Sequence, residues 1–281
     1  MGTPSVRAAL RAPKSLVSIA DLDPRATPLA PGGKSQTRAT MESDGAKLAE
    51  LQEALYAEGT GGSNRRVLLV LQGMDTSGKG GVIKHVIGAV NPQGCHIVSF
   101  KQPTPEELAH HFLWRIRHAV PRAGLIGIFD RSHYEDVLAV RVHRLVPVTT
   151  WEKRYGEINR FERKLADDGV HIIKCFLHIS KAEQRERLLA RLDAPDKRWK
   201  FNPADVDERQ LWPAYEKAYE AVLERTGTEK APWYVIPSDR KWYRNWAIGR
   251  LLRETLTDMD PQFPEPDYVV EEQRRRLIDE E

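Results

Sequence analysis

The stretch Val67-Leu68-Leu69-Val70-Leu71-Gln72-Gly73-Met74-Asp75-Thr76-Ser77-Gly78-Lys79-Gly80-Gly81 decides the fold. Its first part is apolar and β-branched and reads as a buried strand; its second part reads as a glycine-rich loop that opens a helix. Glycines let such a loop turn tightly, so that successive backbone N–H groups face one anion. Lys79 adds a point charge, and the start of the following helix adds its dipole. The spacing of Gly73, Gly78 and Lys79 is that of a phosphate-binding loop, with an ordinary glycine-rich strand-to-helix turn as the alternative. The loop departs from the usual pattern at Gly80, where a Ser or Thr ordinarily follows the lysine and ligates magnesium. Asp75, inside the loop, is the substitute carboxylate. Met74, Thr76, Ser77, Gly80 and Gly81 complete the candidate cradle.

Outward from this loop, the 281 residues suit one large α/β domain or two small ones. Apolar content of 41% and charged content of 30% suit a soluble enzyme with a highly charged surface. With 43 basic against 40 acidic residues, net charge says little about partners, and local clusters must carry that argument. Cys95 and Cys175 sit in separate apolar runs without metal-type spacing, which suggests core packing in a reducing compartment. No apolar run is long enough to span a membrane. The start of the chain, with Arg7, Arg11 and Lys14, lacks the apolar core of a secretory signal and reads as a solvated arm. Cytoplasmic localisation is the expectation.

Residues 1–42 are rich in Pro, Ala, Ser, Thr and Gly and read as an arm or strap, partly flexible. A helix is expected from about Ser43 to Glu58, stopped by Gly59, Gly61 and Gly62. The main domain is expected over 43–262, with a charged tail or short surface helix over 263–281. Strand-like runs fall at Arg66–Leu71, Cys95–Phe100, Leu125–Phe129, Ile172–Ile179 and Trp233–Ile236. Helical stretches lie near Gly81–Val90, Pro105–His118, His133–Val142, Trp151–Asp168, Lys181–Leu192, Pro203–Arg225 and Tyr243–Leu256. Continuous apolar runs predict strands covered on both faces, and strict alternation of strand and helix predicts a parallel sheet with right-handed crossovers. The expected fold is therefore α/β: a three-layer P-loop kinase-like fold with a five-stranded parallel sheet, helices on both faces and a helical lid. Ligands should gather at the carboxyl ends of the strands.

A second acidic position supports this plan. Leu125-Ile126-Gly127-Ile128-Phe129-Asp130 is an apolar strand ending in a carboxylate, which beside the loop would stand where magnesium sits; a helix N-cap is the plainer alternative. Arg131 should reach the same crevice, where a guanidinium can grip phosphate bidentately. His133 is assigned to orientation or packing, since an acceptor that is already a phosphate anion needs no base. Arg185, Arg187, Arg191, Lys197, Arg198 and Lys200 crowd together around Trp199 and Pro195. A salt-bridged surface helix is one reading, because Glu183 precedes Arg187 by one turn. The proline break and the added cations favour a basic lid over about 181–226, closing over phosphates and excluding water. The remaining tryptophans (Trp151, Trp212, Trp233, Trp242 and Trp246) read as core, and no nucleic acid is expected as a partner because aromatics do not interleave with a basic stripe. His110 and His111 show no carboxylate partner in frame and are assigned no metal.

Taken together, Gly73 through Gly81, Phe129-Asp130-Arg131-Ser132-His133-Tyr134-Glu135-Asp136-Val137-Leu138 and the lid from Arg191 through Lys200 resemble the polyphosphate kinase 2 family. Lys101-Gln102-Pro103-Thr104, Phe112-Leu113-Trp114-Arg115 and Ala20-Asp21-Leu22-Asp23-Pro24 extend the resemblance over roughly residues 15–260. The glycine after the loop lysine is part of it. The resemblance implies magnesium-dependent (manganese being an alternative) phosphoryl transfer between inorganic polyphosphate and AMP, ADP or ATP, and a homo-oligomer, a dimer or tetramer. It implies Asp75 and Asp130 as metal ligands, Lys79 and Arg131 as grips on the transferring phosphate, and Arg187, Arg191, Lys197 and Lys200 as lid cations over the polyphosphate path. The Ser132-His133-Tyr134-Glu135-Asp136 version resembles the subgroup acting on both AMP and ADP, with Tyr134 and Glu135 on the nucleotide side. The rival reading is an ATP-dependent nucleoside monophosphate kinase of the same fold. A nucleotide-binding switch is disfavoured, because Asp130 is followed by Arg131-Ser132-His133 rather than by the Asp-x-x-Gly of such proteins.

Overall fold

β1 (Arg66–Gln72) is the middle strand of an all-parallel sheet that also contains β2 (Cys95–Ser99), β3 (Ile126–Asp130), β4 (Val170–His178) and β5 (Trp233–Pro237), in the order β2-β3-β1-β4-β5. The structure is a computed structural model and describes residues 5–13 and 18–280, so Lys14 of the basic start and Glu281 of the tail lie outside the described residues. The helices are α1 (Val6–Leu10), α2 (Lys34–Thr60), α3 (Lys79–His85), α4 (Pro105–Leu108), α5 (Trp114–Ala119), α6 (Ala139–Val142), α7 (Val148–Asp167), α8 (Lys181–Asp193), α9 (Ala204–Glu208), α10 (Trp212–Thr226), α11 (Lys241–Met259) and α12 (Val270–Asp279).

The period of the strand divides the interior into two cores. Leu68 and Val70 pack with Ile116, Ile158 and Val222 of α5, α7 and α10. Val67, Leu69 and Leu71 point the other way and pack with Leu55, Val82 and Leu251 of α2, α3 and α11. All five side chains are at most 1% exposed, each burial contributing about 1.5–3 kcal/mol. This explains why β1 reads as continuous apolar sequence: both faces are covered. The sheet also fixes the site. Leu71 is in register with Asp130, and Gln72 with Phe176, so the loop after β1 and the acid ending β3 emerge side by side.

Several helices differ from their expected extents. The stretch 105–118 is two short helices, because α4 closes early and His111 turns outward to bind Glu157 Oε2 (2.9 Å) while its Nδ1 accepts from the Leu113 amide (3.3 Å). That pairing across 46 residues is the carboxylate partner the local sequence does not show. The stretch 133–142 is a 3-10 turn, His133–Asp136, followed by α6. The stretch 203–225 breaks at a 3-10 turn, Arg209–Leu211, between α9 and α10. α2 begins at Lys34, earlier than expected, directly after its N-cap Gly33, and packs on α11. There Asp44 accepts from Arg250 (3.0 Å) and from Arg253.

The described part of the N-terminal stretch packs on its own chain rather than hanging in solvent. Val6 and Leu10 are buried in the α11-side core, and Glu254 accepts from Ser5 Oγ, the Val6 amide and the Arg7 amide (2.8, 3.0 and 3.1 Å). The Ala12 amide donates to the Trp233 carbonyl (2.8 Å). Further on, the carbonyls of Leu22, Pro24 and Pro28 accept from His178 Nε2 (2.8 Å), the Asp239 amide (3.0 Å) and Tyr243 Oη (3.0 Å). At the other end α12 has no buried residue. No helix among the described residues is long and apolar enough to cross a membrane.

Candidate active site

The crevice lies over the carboxyl ends of β1, β3, β4 and β5. Its floor is the loop Gly73–Gly78. Gly78 has φ +108, which a side chain rarely adopts, and Thr76 has φ +62. The Ser77 amide donates to the Met74 carbonyl (3.1 Å) and closes the turn. At the start of α3 the Gly81 and Val82 amides both donate to the Gly78 carbonyl (2.9 and 3.1 Å), while the first amides of a helix have no intrahelical acceptor four residues back. Lys79 is 9% exposed and folds back so that Nζ donates to the Gly73 carbonyl (2.9 Å) and approaches the Met74 carbonyl (3.5 Å). Burial pushes its pKa down and Arg131 adds to this, while Asp75, Asp130 and Glu135 oppose both. Those four charges therefore converge on the loop lysine.

Arg131 follows Asp130 with φ +63 and turns across the loop. Its Nη2 donates to Asp75 Oδ1 (2.8 Å), and its Nη1 lies 3.7 Å from Glu135 Oε2. Burial lowers the guanidinium pKa, but Glu135 and Asp75 more than reverse this and hold it above its usual range. Burial raises the Glu135 carboxyl despite Arg131 and Lys79. The Gln72 amide, oriented by its neighbours, donates to Glu135 Oε1 (3.1 Å) and accepts from Ser132 Oγ (3.0 Å). The end of β1 thus fixes the turn after β3.

The donors present fit magnesium. Asp75 and Asp130 offer hard carboxylate oxygens on adjacent elements, and magnesium is held by one or two carboxylates with phosphate oxygens and water completing its shell. Among the described residues no group of three or more His, Cys, Asp or Glu side chains could hold a metal ion on its own. Asp75 would share its carboxylate between the metal and Arg131.

The expected lid cations fall into different places. Arg187 stands apart from the other three: it is 7% exposed and lies against the carbonyls of the loop. Its Nη1 donates to the carbonyls of Thr76 (2.9 Å) and Ser77 (3.0 Å), its Nη2 to those of Ser238 (2.5 Å) and Asp239 (3.1 Å), and its Nε to Glu183 (2.9 Å). A guanidinium with all these acceptors braces the loop. Arg191 links α8 to the segments that follow it, donating to the Lys200 carbonyl (3.0 Å) and lying 3.5 Å from Asp205. Lys197 and Lys200 are exposed, and Lys200 Nζ lies 4.9 Å from the ring of Trp199, itself 79% exposed. Gln184 Nε2 donates to the Asp75 carbonyl (3.0 Å), with Arg209 bound to its Oε1 (2.7 Å), so α8 is fastened to the crevice as well.

Tyr134, expected on the nucleotide side, lies in the core of the protein. It is fully buried and turned away from the crevice, and its hydroxyl donates to Glu162 Oε1 (2.7 Å). It faces a closed network in which Lys174 Nζ donates to Tyr134 Oη (2.8 Å), Glu162 Oε2 (2.7 Å) and the Thr226 carbonyl (2.8 Å). His133 Nε2 completes it, 3.2 Å from Glu162 Oε1. Burial pushes the Glu162 carboxyl up, but Lys174 and His133 together hold it below its usual range. The segment after Asp130-Arg131 is therefore anchored from behind, which its apolar and charged neighbours in sequence do not reveal. Sequence reasoning also misses Arg244, whose Nη1 donates to the Ser77 carbonyl (3.0 Å), and two tyrosines of α10: burial and then Glu208 raise the hydroxyl pKa of Tyr215, and burial and then Glu135 raise that of Tyr219. The one available signal for Arg244 is the cationic run Arg240-Lys241-Trp242-Tyr243-Arg244 directly after β5.

This crevice has known counterparts. A family model described as Polyphosphate kinase 2 matches residues 33–264. The chain is 51% identical over 249 residues to the AMP/ADP-polyphosphate phosphotransferase of Meiothermus ruber, covering 89% of this chain and 92% of that one. It is 46% identical over 232 residues to the ADP-polyphosphate phosphotransferase of Rhodopseudomonas palustris, covering 78% of each. The crystal structure of polyphosphate kinase 2 from Arthrobacter aurescens TC1 superposes with a TM-score of 0.95 at 46% identity, covering 98% of this chain and 97% of that one. With the family model matched across the sheet, the loop and the helices α8 to α10, the chain belongs to the polyphosphate kinase 2 family.

Proposed function

We propose that the chain transfers phosphoryl groups reversibly between inorganic polyphosphate and adenine nucleotides, with AMP and ADP as acceptors, and that it needs magnesium. The observation that carries this reading is the meeting of Lys79, Asp75 and Arg131 over one glycine loop, in a chain of this family. Both substrates arrive as anions, so the reaction is mainly positioning and charge neutralisation. Lys79 and Arg131 grip the transferring phosphate while the amides of the loop receive its oxygens. Asp75 and Asp130 hold the metal, whose charge offsets that of the phosphates. The bond that breaks is a phosphoanhydride P–O bond of the donor, and the one that forms joins the same phosphorus to a terminal phosphate oxygen of the nucleotide. That oxygen is already anionic, so no residue has to remove a proton. Glu135 orients Arg131 and lies on the acceptor side.

Residues 181–226 act as the lid in this reading, with Lys197 and Lys200 facing the polyphosphate path; residues 1–42 are the arm and 263–281 the tail. A homo-oligomer, a dimer or tetramer, goes with it, supported by the open edge of β2, where Ile97 is 47% exposed. Free Cys175 and Cys95 agree with a reducing compartment such as the cytoplasm. The test is ATP formation from ADP, and ADP formation from AMP, with magnesium and polyphosphate and no other nucleotide, read by luciferase and chromatography. Transfer from ATP to a nucleoside monophosphate without any from polyphosphate would establish the monophosphate-kinase reading instead.

A further inference from the structure

Arg244 stands in the first turn of α11 and is 2% exposed. Its three acceptor contacts are all uncharged: Nη1 donates to the Ser77 carbonyl (3.0 Å), and Nε and Nη2 donate to Asn245 Oδ1 (3.1 and 2.8 Å). The charge it feels most is another cation, Arg187, whose Nη1 reaches the same Ser77 carbonyl (3.0 Å). Two buried guanidinia thus converge on one peptide oxygen. A buried cation with no counter-ion is expensive, and a fold ordinarily neutralises it with a carboxylate. Here burial, with Arg187, pushes the Arg244 pKa down to about 9.

The loop is shaped around this side chain. A Cβ on Gly78 would lie 1.7 Å from Arg244 Nη1, and one on Gly81 would lie 2.7 Å from Nη2. Two of the glycines that mark the motif therefore make room for a guanidinium as well as for an anion. A trans peptide is planar, so holding the Ser77 carbonyl toward the two guanidinia turns the Gly78 amide to the opposite side. The close packing places Nη1 within about 8 Å of any oxygen held by that amide.

We infer that Arg244 is a positioning residue for phosphoryl transfer, which orients the Ser77–Gly78 peptide and holds beneath the loop a positive charge that a bound phosphate chain would offset. The inference rests on the reading of Gly73–Gly81 as a phosphate cradle. It separates Arg244 from an ordinary structural arginine by one consequence: the apo protein carries a penalty that the anion relieves.

The experiment compares wild type, R244M and R244K by thermal unfolding with and without tripolyphosphate, and by steady-state transfer to ADP. R244M is expected to melt at or above the wild-type temperature without ligand and to lose most of the tripolyphosphate-induced shift. Its kcat should fall about tenfold or more, with a smaller change in the KM for ADP. R244K, which keeps the charge, should regain most of the shift. A wild-type protein that tripolyphosphate does not stabilise overturns the cradle reading and this inference with it. A wild-type shift that R244M retains in full, or a loss of apo stability shared by R244M and R244K, overturns this inference alone.

Discussion

Replacing Glu162 by Gln tests how the turn after β3 is held. Glu162 and Lys174 are 1% and 0% exposed and 2.7 Å apart, and all three hydrogens of the Lys174 ammonium are taken by Glu162, Tyr134 and Thr226. E162Q keeps the shape but leaves Lys174 a buried cation without its counter-charge, which should cost about 3–5 kcal/mol. K174M should cost a similar amount, because Glu162 then keeps only Tyr134 and His133. Removing both charges in E162Q/K174M should cost less than the two single changes added together, by about 2 kcal/mol or more. Equilibrium urea unfolding at one fixed protein concentration gives the three values. Because Tyr134 and His133 directly follow Asp130-Arg131-Ser132 in the chain, the single variants should also lose phosphoryl transfer at temperatures where they remain folded. Single losses below about 1 kcal/mol, or a double variant that sums its parts within about 0.5 kcal/mol, would refute the view that these charges work as one unit.

Asp75→Asn and Asp130→Asn should each reduce transfer more than about a hundredfold while circular dichroism and melting stay near wild type, and near-normal turnover in either would remove that residue from the metal site. Gly78→Ala should cost about 1–3 kcal/mol and displace Arg244, since its φ is +108 and the new carbon would lie 1.7 Å from Nη1. Gly80→Ala, whose carbon meets nothing within 4 Å, should keep or gain stability, and equal losses in the two would contradict the packing described. Glu58 is held near pKa about 2, against an ordinary 4.5, by its hydrogen bonds to Arg65 and then Ser63 and Gln262. A carboxyl depressed on folding stabilises above its unfolded pKa, so this contribution should disappear between about pH 5 and pH 2. Urea midpoints across that range should fall less steeply in Glu58→Gln than in wild type, and parallel curves would exclude the linkage.

The sheet is legible in the sequence because a strand covered on both faces, such as Val67–Leu71, must be apolar throughout, and nothing nearby competes with that pattern. The loop is legible because Gly73, Gly78 and Lys79 are local in sequence. What hides is whatever depends on the far side of a contact. The Glu183 and Arg187 pair one turn apart looks like any solvated helix face, yet α8 presses Arg187 against the carbonyls of Thr76 and Ser77, 111 and 110 residues away. Tyr134 sits in the motif that follows Asp130, but its direction is set by Glu162 and Lys174 on α7 and β4. Pro105–His118 has helical composition throughout, and only the distant Glu157 shows why it parts at His111. Spacing can bring candidate residues to one end of the sheet; it does not say which of them turn inward.

The stretch from Leu22 to Pro28 shows what proline is suited to beyond breaking helices. Its carbonyls meet donors at the end of β4, just after β5 and in the first turn of α11, and Asp239 in turn binds the Ser180 amide that opens α8 (2.8 Å). Pro24 and Pro28 supply acceptors and bring no amide hydrogen needing a partner of its own. Their fixed φ also leaves the unfolded chain fewer shapes to forfeit. Hydrogen exchange at the Asp239 and Ser180 amides would therefore register the loosening of a segment some 200 positions earlier, and the rigidity of the crevice is set in part by residues that never face it.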